Sequence, residues 1–468
     1  LSFEISKTMS LKFRRFLYLS FIIAFLVITP NIILKAKGYR LKFSKNLKEA
    51  VRIQKTGILV LASRPAGAKI YLNGVVQKKF FNKYFSFLIP SDSEKNYFIT
   101  PAKIKDIFPG EYSVKLHLDG YWDWEKKLKV EAGQSTYAED IALFKNALPQ
   151  IVISGRFDSA ALSPDKKLMA FKNEGRAGII NLETEEKIDL GEKGITASTD
   201  HLLWSSDSKN ILIDKKIYDL DKRKFIADLD NKEGAFRWSE VENKKIFYLS
   251  AGKNENHINS LSLVNFASST LVSAKKIIDF LVTDNNIALI SEYSSADSLN
   301  IYDKNGKLIK TVNLLPESDY RLQEFKNNLI SVLDKKNNNL YLIDNSPYFS
   351  PIAKIENIKY SSWVNDEKML YANDFEIYLY NYSSKEKNLL TRISSPIQAV
   401  FWHPSDNYII YLTAGSINII ELDEREKRNT RELIKLDKIT LPFLNAKGDA
   451  IYFYSQIGKQ EGIYKLDL

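Results

Sequence analysis

The residues in this 468-residue chain whose types and spacing come nearest to chemistry are carboxylates. Asp165, Asp207 and Asp406 sit in short polar segments, Leu162-Ser163-Pro164-Asp165, Trp204-Ser205-Ser206-Asp207 and Trp402-His403-Pro404-Ser405-Asp406. If such acids converged they would serve as general acids, bases or metal ligands. An Asp in a turn more often accepts a hydrogen bond from its own backbone two residues on. Recurrence at one position of a repeat favours that structural role. The chain has no Cys, which excludes disulfides, thiolate zinc sites, iron-sulfur clusters and cysteine nucleophiles. Its four histidines, His117, His201, His257 and His403, are too scattered for a His-rich metal centre. No Gly-x-Ser-x-Gly elbow, phosphate-binding Gly-rich loop or dinucleotide fingerprint is present. Asp219-Leu220-Asp221 and Asp228-Leu229-Asp230-Asn231 lack the Gly and distal Glu of a calcium loop. No cofactor and no metal are expected.

The net charge of +10 is not spread over the chain. Residues 1–55 hold twelve Lys/Arg against two acids, and the remainder balances to zero. A nucleic-acid-binding domain carries its basic patch on its folded part, so no nucleic-acid partner is expected. A basic cluster beside an apolar run is instead a membrane-surface signal. That run, Phe16 to Leu34, has nineteen residues without a charge, about the length that crosses a hydrocarbon core of roughly 30 Å. Basic residues flank it on both sides, so orientation is argued from the long polar remainder of the chain. The run reads as a signal-anchor exporting its carboxyl side, with residues 1–15 as a cytoplasmic tail and 16–34 as the span. The alternative, a cleaved secretory signal, lacks a small-x-small site, Ile33-Leu34-Lys35 being a poor substitute. Pro30 would kink the span, as membranes tolerate, and Met9 makes a more usual start than Leu1. Residues 35–55 read as a basic juxtamembrane linker near the lipid headgroups, either merely solvated or binding lipid specifically.

From Thr56 on the pattern becomes β. An alternating strand (Leu59 and Leu61 against Ile58 and Val60) meets Pro65-Ala66-Gly67-Ala68, and a second strand, Ile70-Tyr71-Leu72, ends at Asn73-Gly74, a hairpin signal because both residues tolerate φ > 0. Thr100-Pro101, Pro109-Gly110-x-Tyr112 and Gly120-Tyr121 follow. This order resembles the PEGA domain, and the resemblance implies a small β-sandwich over 56–146 of a kind found on bacterial surface proteins. Ala66 departs from the Glu of the name-giving motif, and some twenty residues are inserted between Gly74 and Thr100. The insertion is aromatic and basic. Phe80, Phe81, Tyr84, Phe85 and Phe87 are its candidate partner or membrane contacts, since contiguous exposed apolar surface marks interaction sites. The competing reading is an extra hairpin folded back on the sandwich.

The rest of the chain, 147–468, is an array. Eight anchors, Leu162, Trp204, Trp238, Val282, Phe325, Trp363, Trp402 and Leu444, recur at intervals of 34 to 44 residues, each followed by a turn and two β-rich runs. Period, β-propensity and turn residues predict a β-propeller of four-stranded blades. Eight blades are expected, or seven if one of the degenerate fourth and fifth units is not a blade. The last unit is one strand short, and Leu148–Ile153 would supply it and remove a sheet edge. Trp204, Trp238, Trp363 and Trp402 then read as inter-blade core rather than a sugar-stacking platform. The turns resemble the TolB-like propeller repeats, which are WD40-like in architecture, although neither a Gly-His nor a terminal Trp-Asp pair recurs. The whole is predicted to be all-β behind one transmembrane helix.

Fold alone does not give function. The two resemblances imply a non-enzymatic, membrane-anchored bacterial cell-envelope protein with its carboxyl-terminal domains on the extracytoplasmic side. Its propeller face would bind a protein, peptide or polysaccharide, with the sandwich as spacer or second contact. The alternative is a surface hydrolase or lyase using channel-facing carboxylates, favoured by a deep central pocket with paired, perturbed acids.

Overall fold

A computed structural model describes residues 11–43, 51–79, 96–173, 175–191, 202–230, 232, 234–283, 285–293, 296–316, 318–326, 329–344 and 351–468. The chain divides into two compact units, Leu1–Asn146 with Asp423–Asn429, and Ala147–Leu422 with Thr430–Leu468. Among the described residues there is one helix, and the rest of the regular structure is strand.

In the first unit the helix α1, Leu11–Ala36, encloses the uncharged run and buries none of its residues. Its length and apolarity suit a membrane anchor or a signal sequence. The stretch read from sequence as a linker contains two paired strands, β1 (Tyr39–Phe43) and β2 (Val51–Lys55), antiparallel with Tyr39 opposite Lys55. The period-two alternation of Tyr39, Leu41 and Phe43 with Arg40 and Lys42 accounts for this, and the high charge of the segment obscures it.

Two sheets follow. β3 (Gly57–Arg64) lies between β6 (Ala102–Ile107), antiparallel, and β9 (Ser135–Ala142), parallel. The second sheet has the order β5 (Val75–Val76), β4 (Lys69–Leu72), β7 (Gly110–His117), β8 (Trp124–Val130). Their facing residues form one core: Leu59 and Leu61 from β3, Ile104 from β6, Ile70 from β4, Val114 and Leu116 from β7, Leu128 from β8. Full burial of each such side chain contributes about 1.5–3 kcal/mol. Asn73 and Gly74 take φ of 49° and 77° in the hairpin joining β4 to β5, as that turn requires. The Pro65–Ala68 turn and Thr100 meet: Thr100 Oγ1 lies 2.6 Å from Ser63 Oγ and accepts from Ala68 N at 3.0 Å.

The second unit holds, among the described residues, eight four-stranded antiparallel sheets. In chain order they span 157–191, 202–228, 236–274, 277–313, 320–355, 360–392, 397–435 and 440–467. The first seven are simple up-and-down meanders, and the fourth and fifth, where the motif degenerates, are four-stranded like the others. The eighth takes its fourth strand from β10 (Gln150–Ser154), which pairs with Gln460–Asp467. All eight anchors fall at or near the end of the first strand of their sheet.

The core of this unit lies between sheets. Ala170 and Ile179 of the first sheet pack with Trp204 and Ile211 of the second, and Leu340 and Leu342 of the fifth with Met369 and Tyr371 of the sixth. Ile153, Tyr452 and Ile463 of the eighth sheet pack with Phe157, Met169 and Ile180 of the first. A sheet buried on both faces needs apolar residues at consecutive positions rather than alternate ones. The wholly buried runs Asn210–Ile213 and Tyr408–Thr413 show it. This up-and-down, sheet-on-sheet arrangement is β-propeller-like.

Candidate functional site

The acids singled out in the sequence are held in their own turns. Asp165 Oδ1 accepts from Ser163 Oγ at 2.6 Å and from Lys167 N at 3.1 Å, and Asp207 Oδ1 accepts from Ser205 Oγ and Lys209 N at 2.6 and 3.0 Å. Asp406 accepts the indole N–H of Trp402 at 2.7 Å. The turns also tie neighbouring sheets, with Asp165 N donating to Ser208 Oγ at 3.1 Å and Ser206 Oγ to Ser239 O at 3.1 Å. Two of the tryptophans bridge sheets through their indoles: Trp204 Nε1 donates to Ala161 O at 3.0 Å and Trp238 Nε1 to Leu203 O at 2.8 Å. Trp363 packs into the core between the fifth and sixth sheets, whereas Trp402 turns its N–H to Asp406.

Among the described residues the histidines lie apart. His117 contacts Asp123 at 2.6 Å and His257 contacts Ser273 at 2.7 Å. His403 is buried, its Nε2–H donating to Gly448 O at 3.0 Å while Nδ1 accepts from Ser405 N at 3.2 Å. Burial pushes its pKa below the usual imidazole value. Among the described residues no three His, Asp or Glu side chains are placed to hold a metal ion. His201 and the aromatic candidates Phe80, Phe81, Tyr84, Phe85 and Phe87 lie outside the described residues.

Within the second unit the residues that come together around open space are others. A cavity of about 710 Å³ is lined by Asn338, Asn357, Lys359, Asn373–Glu376, Arg392 and their apolar neighbours Ile358 and Ile393. Asn338 ends a turn of the fifth sheet, 357–359 link the fifth sheet to the sixth, Asn373–Phe375 form the turn before the sixth sheet's third strand, and Arg392 closes its fourth. In an up-and-down meander these connections fall at one end of the sheets, so loops distant in sequence share one rim.

The charges of this rim are paired. Glu376 Oε1 accepts from Arg392 Nε at 2.8 Å and Nη2 at 2.5 Å. Its Oε2 accepts from Tyr378 OH at 2.7 Å and Asn373 Nδ2 at 2.9 Å. The Tyr378, Asn373 and Arg392 bonds, in that order, hold the Glu376 carboxyl down at about 2. Lys359 Nζ meets Asp374 Oδ1 at 2.5 Å, and that bond raises the lysine pKa. Between the pairs, Phe375 presents an exposed ring. A carboxylate this acidic is neither a useful proton donor nor a strong base at neutral pH. Paired charges, amide side chains and an aromatic ring around a cavity of this size suit the binding of a polar, partly apolar ligand. The volume lies within the range of small-molecule and peptide pockets.

Sequence reading passed over this cluster. The Asn373-Asp374 pair between two β-rich runs carries an ordinary turn signal. Glu376 recruits Arg392 from the position opposite it on the adjacent strand, a cross-strand pairing set by the register of the hairpin rather than by a residue motif.

Elsewhere, burial raises the carboxyl pKa of Glu324 on the first strand of the fifth sheet, and likewise that of Asp297, with Glu292 adding to the latter. First strands are also cross-tied: Arg237 of the third sheet donates to Asp279 Oδ1 of the fourth at 3.0 Å and to Leu322 O of the fifth at 2.9 Å.

No match to a curated protein was found. Among solved structures the chain is similar to a eukaryotic initiation factor (13% identity, TM-score 0.46, covering 69% of this chain and 88% of that one). It is similar also to the Dos1 propeller (12%, 0.45, 68% and 94%) and to the WD40 domain of SCAP from fission yeast (9%, 0.45, 69% and 98%). Likeness this loose transfers no activity. Residues 93–143 match the PEGA domain family, a stretch that contains Thr100-Pro101, Gly110, Tyr112 and Gly120-Tyr121 but not the Pro65–Ala68 turn; the first unit thus contains a segment similar to a PEGA domain.

Proposed function

We propose that this chain is a single-span, membrane-anchored, non-enzymatic binding protein of a bacterial cell envelope. Its second unit, a TolB-like propeller, recognises a protein, peptide or polysaccharide partner through the rim that carries the Asn338–Ile393 cavity. The first unit serves as spacer or second contact, and both units lie on the extracytoplasmic side. The eight sheets are the blades of one ring, and β10 closes the last of them. The observation that carries the reading is the chemistry of the rim: salt-bridged charges and amides around an exposed phenyl ring, with the most prominent carboxylate locked in its ionised form.

The alternative, a hydrolase or lyase acting through channel-facing acids, has Glu324 in its favour as a carboxyl with a raised pKa. The test uses full-length protein in mild detergent, immobilised and exposed to solubilised cell-envelope material at low and moderate salt, with mass spectrometry of what is retained. Wild type should retain a defined component that Phe375→Ser with Lys359→Glu loses and Glu324→Gln keeps. Loss with Glu324→Gln alone, accompanied by a chemically altered component, overturns the binding reading in favour of the enzyme.

A further inference from the structure

The first unit has its own cavity, of about 580 Å³, and its chemistry differs from that of the rim. Lys35, Arg40, Lys78, Lys103 and Lys105 line it together with a single carboxylate residue, Asp106. Its remaining wall includes Phe98, Phe108 and Tyr112, and the amides Asn73 and Gln77. Five cations against one acid make a site that favours a dianionic or monoanionic oxyanion, and amide N–H groups beside them add directional donors.

Two features fix where this cavity lies with respect to a bilayer. Lys35 is the first charged residue after the nineteen-residue uncharged run, and at 1.5 Å per residue that run matches a hydrocarbon core of about 30 Å. The ammonium of Lys35 therefore stands at headgroup depth while it lines the cavity. The segment leaving the helix is also fastened to the sandwich. Thr56 N and Oγ1 donate to Gly38 O at 2.8 and 2.9 Å, Arg40 Nη1 donates to Asp106 O at 2.8 Å, and the Arg40 guanidinium lies 5.5 Å from the centre of the Phe108 ring. The cavity is thus held beside the end of the helix.

We infer that this cavity binds the phosphate of an anionic membrane phospholipid, with Lys35, Arg40, Lys78, Lys103 and Lys105 as the cationic wall and the aromatic side chains against the upper part of the lipid. The inference rests on the membrane-anchored reading above. A phosphodiester is the anion present at that depth in a phospholipid bilayer, and basic residues next to a span are a usual means of holding it. The site would orient the first unit on the membrane surface.

The test uses the full chain reconstituted in liposomes of phosphatidylcholine and phosphatidylglycerol at four to one, a ratio set by the experimenter. One portion is extracted with alkaline carbonate, and a separate portion kept at neutral pH, where the lysines stay charged, goes to mild detergent extraction and mass spectrometry of the lipid retained per protein. Wild type should resist carbonate and retain phosphatidylglycerol in excess of its bulk share. Lys103→Gln with Lys105→Gln, both exposed on β6, should lower that excess about tenfold. Lys310→Gln with Lys335→Gln, exposed lysines of the second unit, should leave it unchanged. If the β6 double variant loses its circular dichroism signature, Lys78→Gln alone carries the comparison and should lower the excess by about threefold. Millimolar inorganic phosphate should not displace the lipid. Carbonate release overturns the anchored reading and this inference together. Carbonate resistance with phosphatidylglycerol at its bulk share overturns this inference alone, as does displacement by inorganic phosphate, which would mark a site for a free anion.

Discussion

Asp279→Ala is the most informative single change in the second unit. Asp279 is 6% exposed and its carboxylate accepts four hydrogen bonds: from Arg237 Nη2 at 3.0 and 3.2 Å, from Leu322 N at 2.8 Å and from Phe280 N at 2.9 Å. Arg237 in turn reaches Leu322 O, so three consecutive sheets meet at one ion pair. Removing one partner of a buried pair costs roughly 3–5 kcal/mol. Arg237 keeps 29% of its side chain in solvent and rehydrates in part, which places the cost near the lower end, about 3 kcal/mol. An unfolding entropy of about 2.1 cal/mol/K per residue over the roughly 315 residues of the unit converts this to a fall of about 5 °C in its melting temperature. The assay is differential scanning calorimetry of the full chain in detergent, following the transition of the second unit. Arg237→Ala should destabilise as well, because it strands a buried carboxylate. The double variant should then cost about 1 kcal/mol or more less than the sum of the two. A fall of under about 1 °C for Asp279→Ala, or strict additivity in the cycle, would refute the claim that this pair fastens the three sheets.

Two further outcomes follow from the geometry. Because the folded pKa of Glu376 is depressed to about 2 from 4.5, the stability it contributes is complete above the unfolded value and is lost as pH falls from 4.5 towards 2. Glu376→Gln should therefore show a shallower decline in melting temperature across that window than wild type, and a parallel decline would show that the bonds to Tyr378, Asn373 and Arg392 do not favour the charged form. In a chain without Cys, Gln150→Cys with Lys465→Cys places two thiols at paired positions of β10 and the last strand. Oxidation should yield one disulfide and a higher melting temperature by a few °C, read by non-reducing electrophoresis and calorimetry; failure to crosslink would remove β10 from the last sheet.

The parts of the fold that were legible are those written in local periodicity. The eight anchors mark the ends of first strands because a large residue there is followed by a polar turn in the chain itself, and Asn73-Gly74 names its hairpin because backbone conformation at φ > 0 is a property of those two residues. The strand pair at 39–55 is hidden for the complementary reason. Its alternation is carried by Tyr39, Leu41 and Phe43 between charged residues, and a charge count sees a linker where a period of two is present.

The two cavities fail locality altogether. Asn338, Lys359, Asn373 and Arg392 become neighbours only because a meander returns every second connection to the same end of its sheet, and adjacent sheets then align those ends. Lys35, Arg40, Lys78 and Lys103 meet because a helix end, a strand pair and a sandwich edge are fastened by hydrogen bonds from Thr56 and Arg40. In the second unit most of the cavity lining sits on connections, whereas in the first Lys35 is on the helix, Arg40 on β1 and Lys103 and Lys105 on β6; the residues that a sequence scan finds first, the turn aspartates, are held within their own turns. Changes at Phe375 or Lys103, both exposed, should alter binding while leaving the sheets intact, and changes at Asp165 or Asp207, which hold their own turns, should do the reverse.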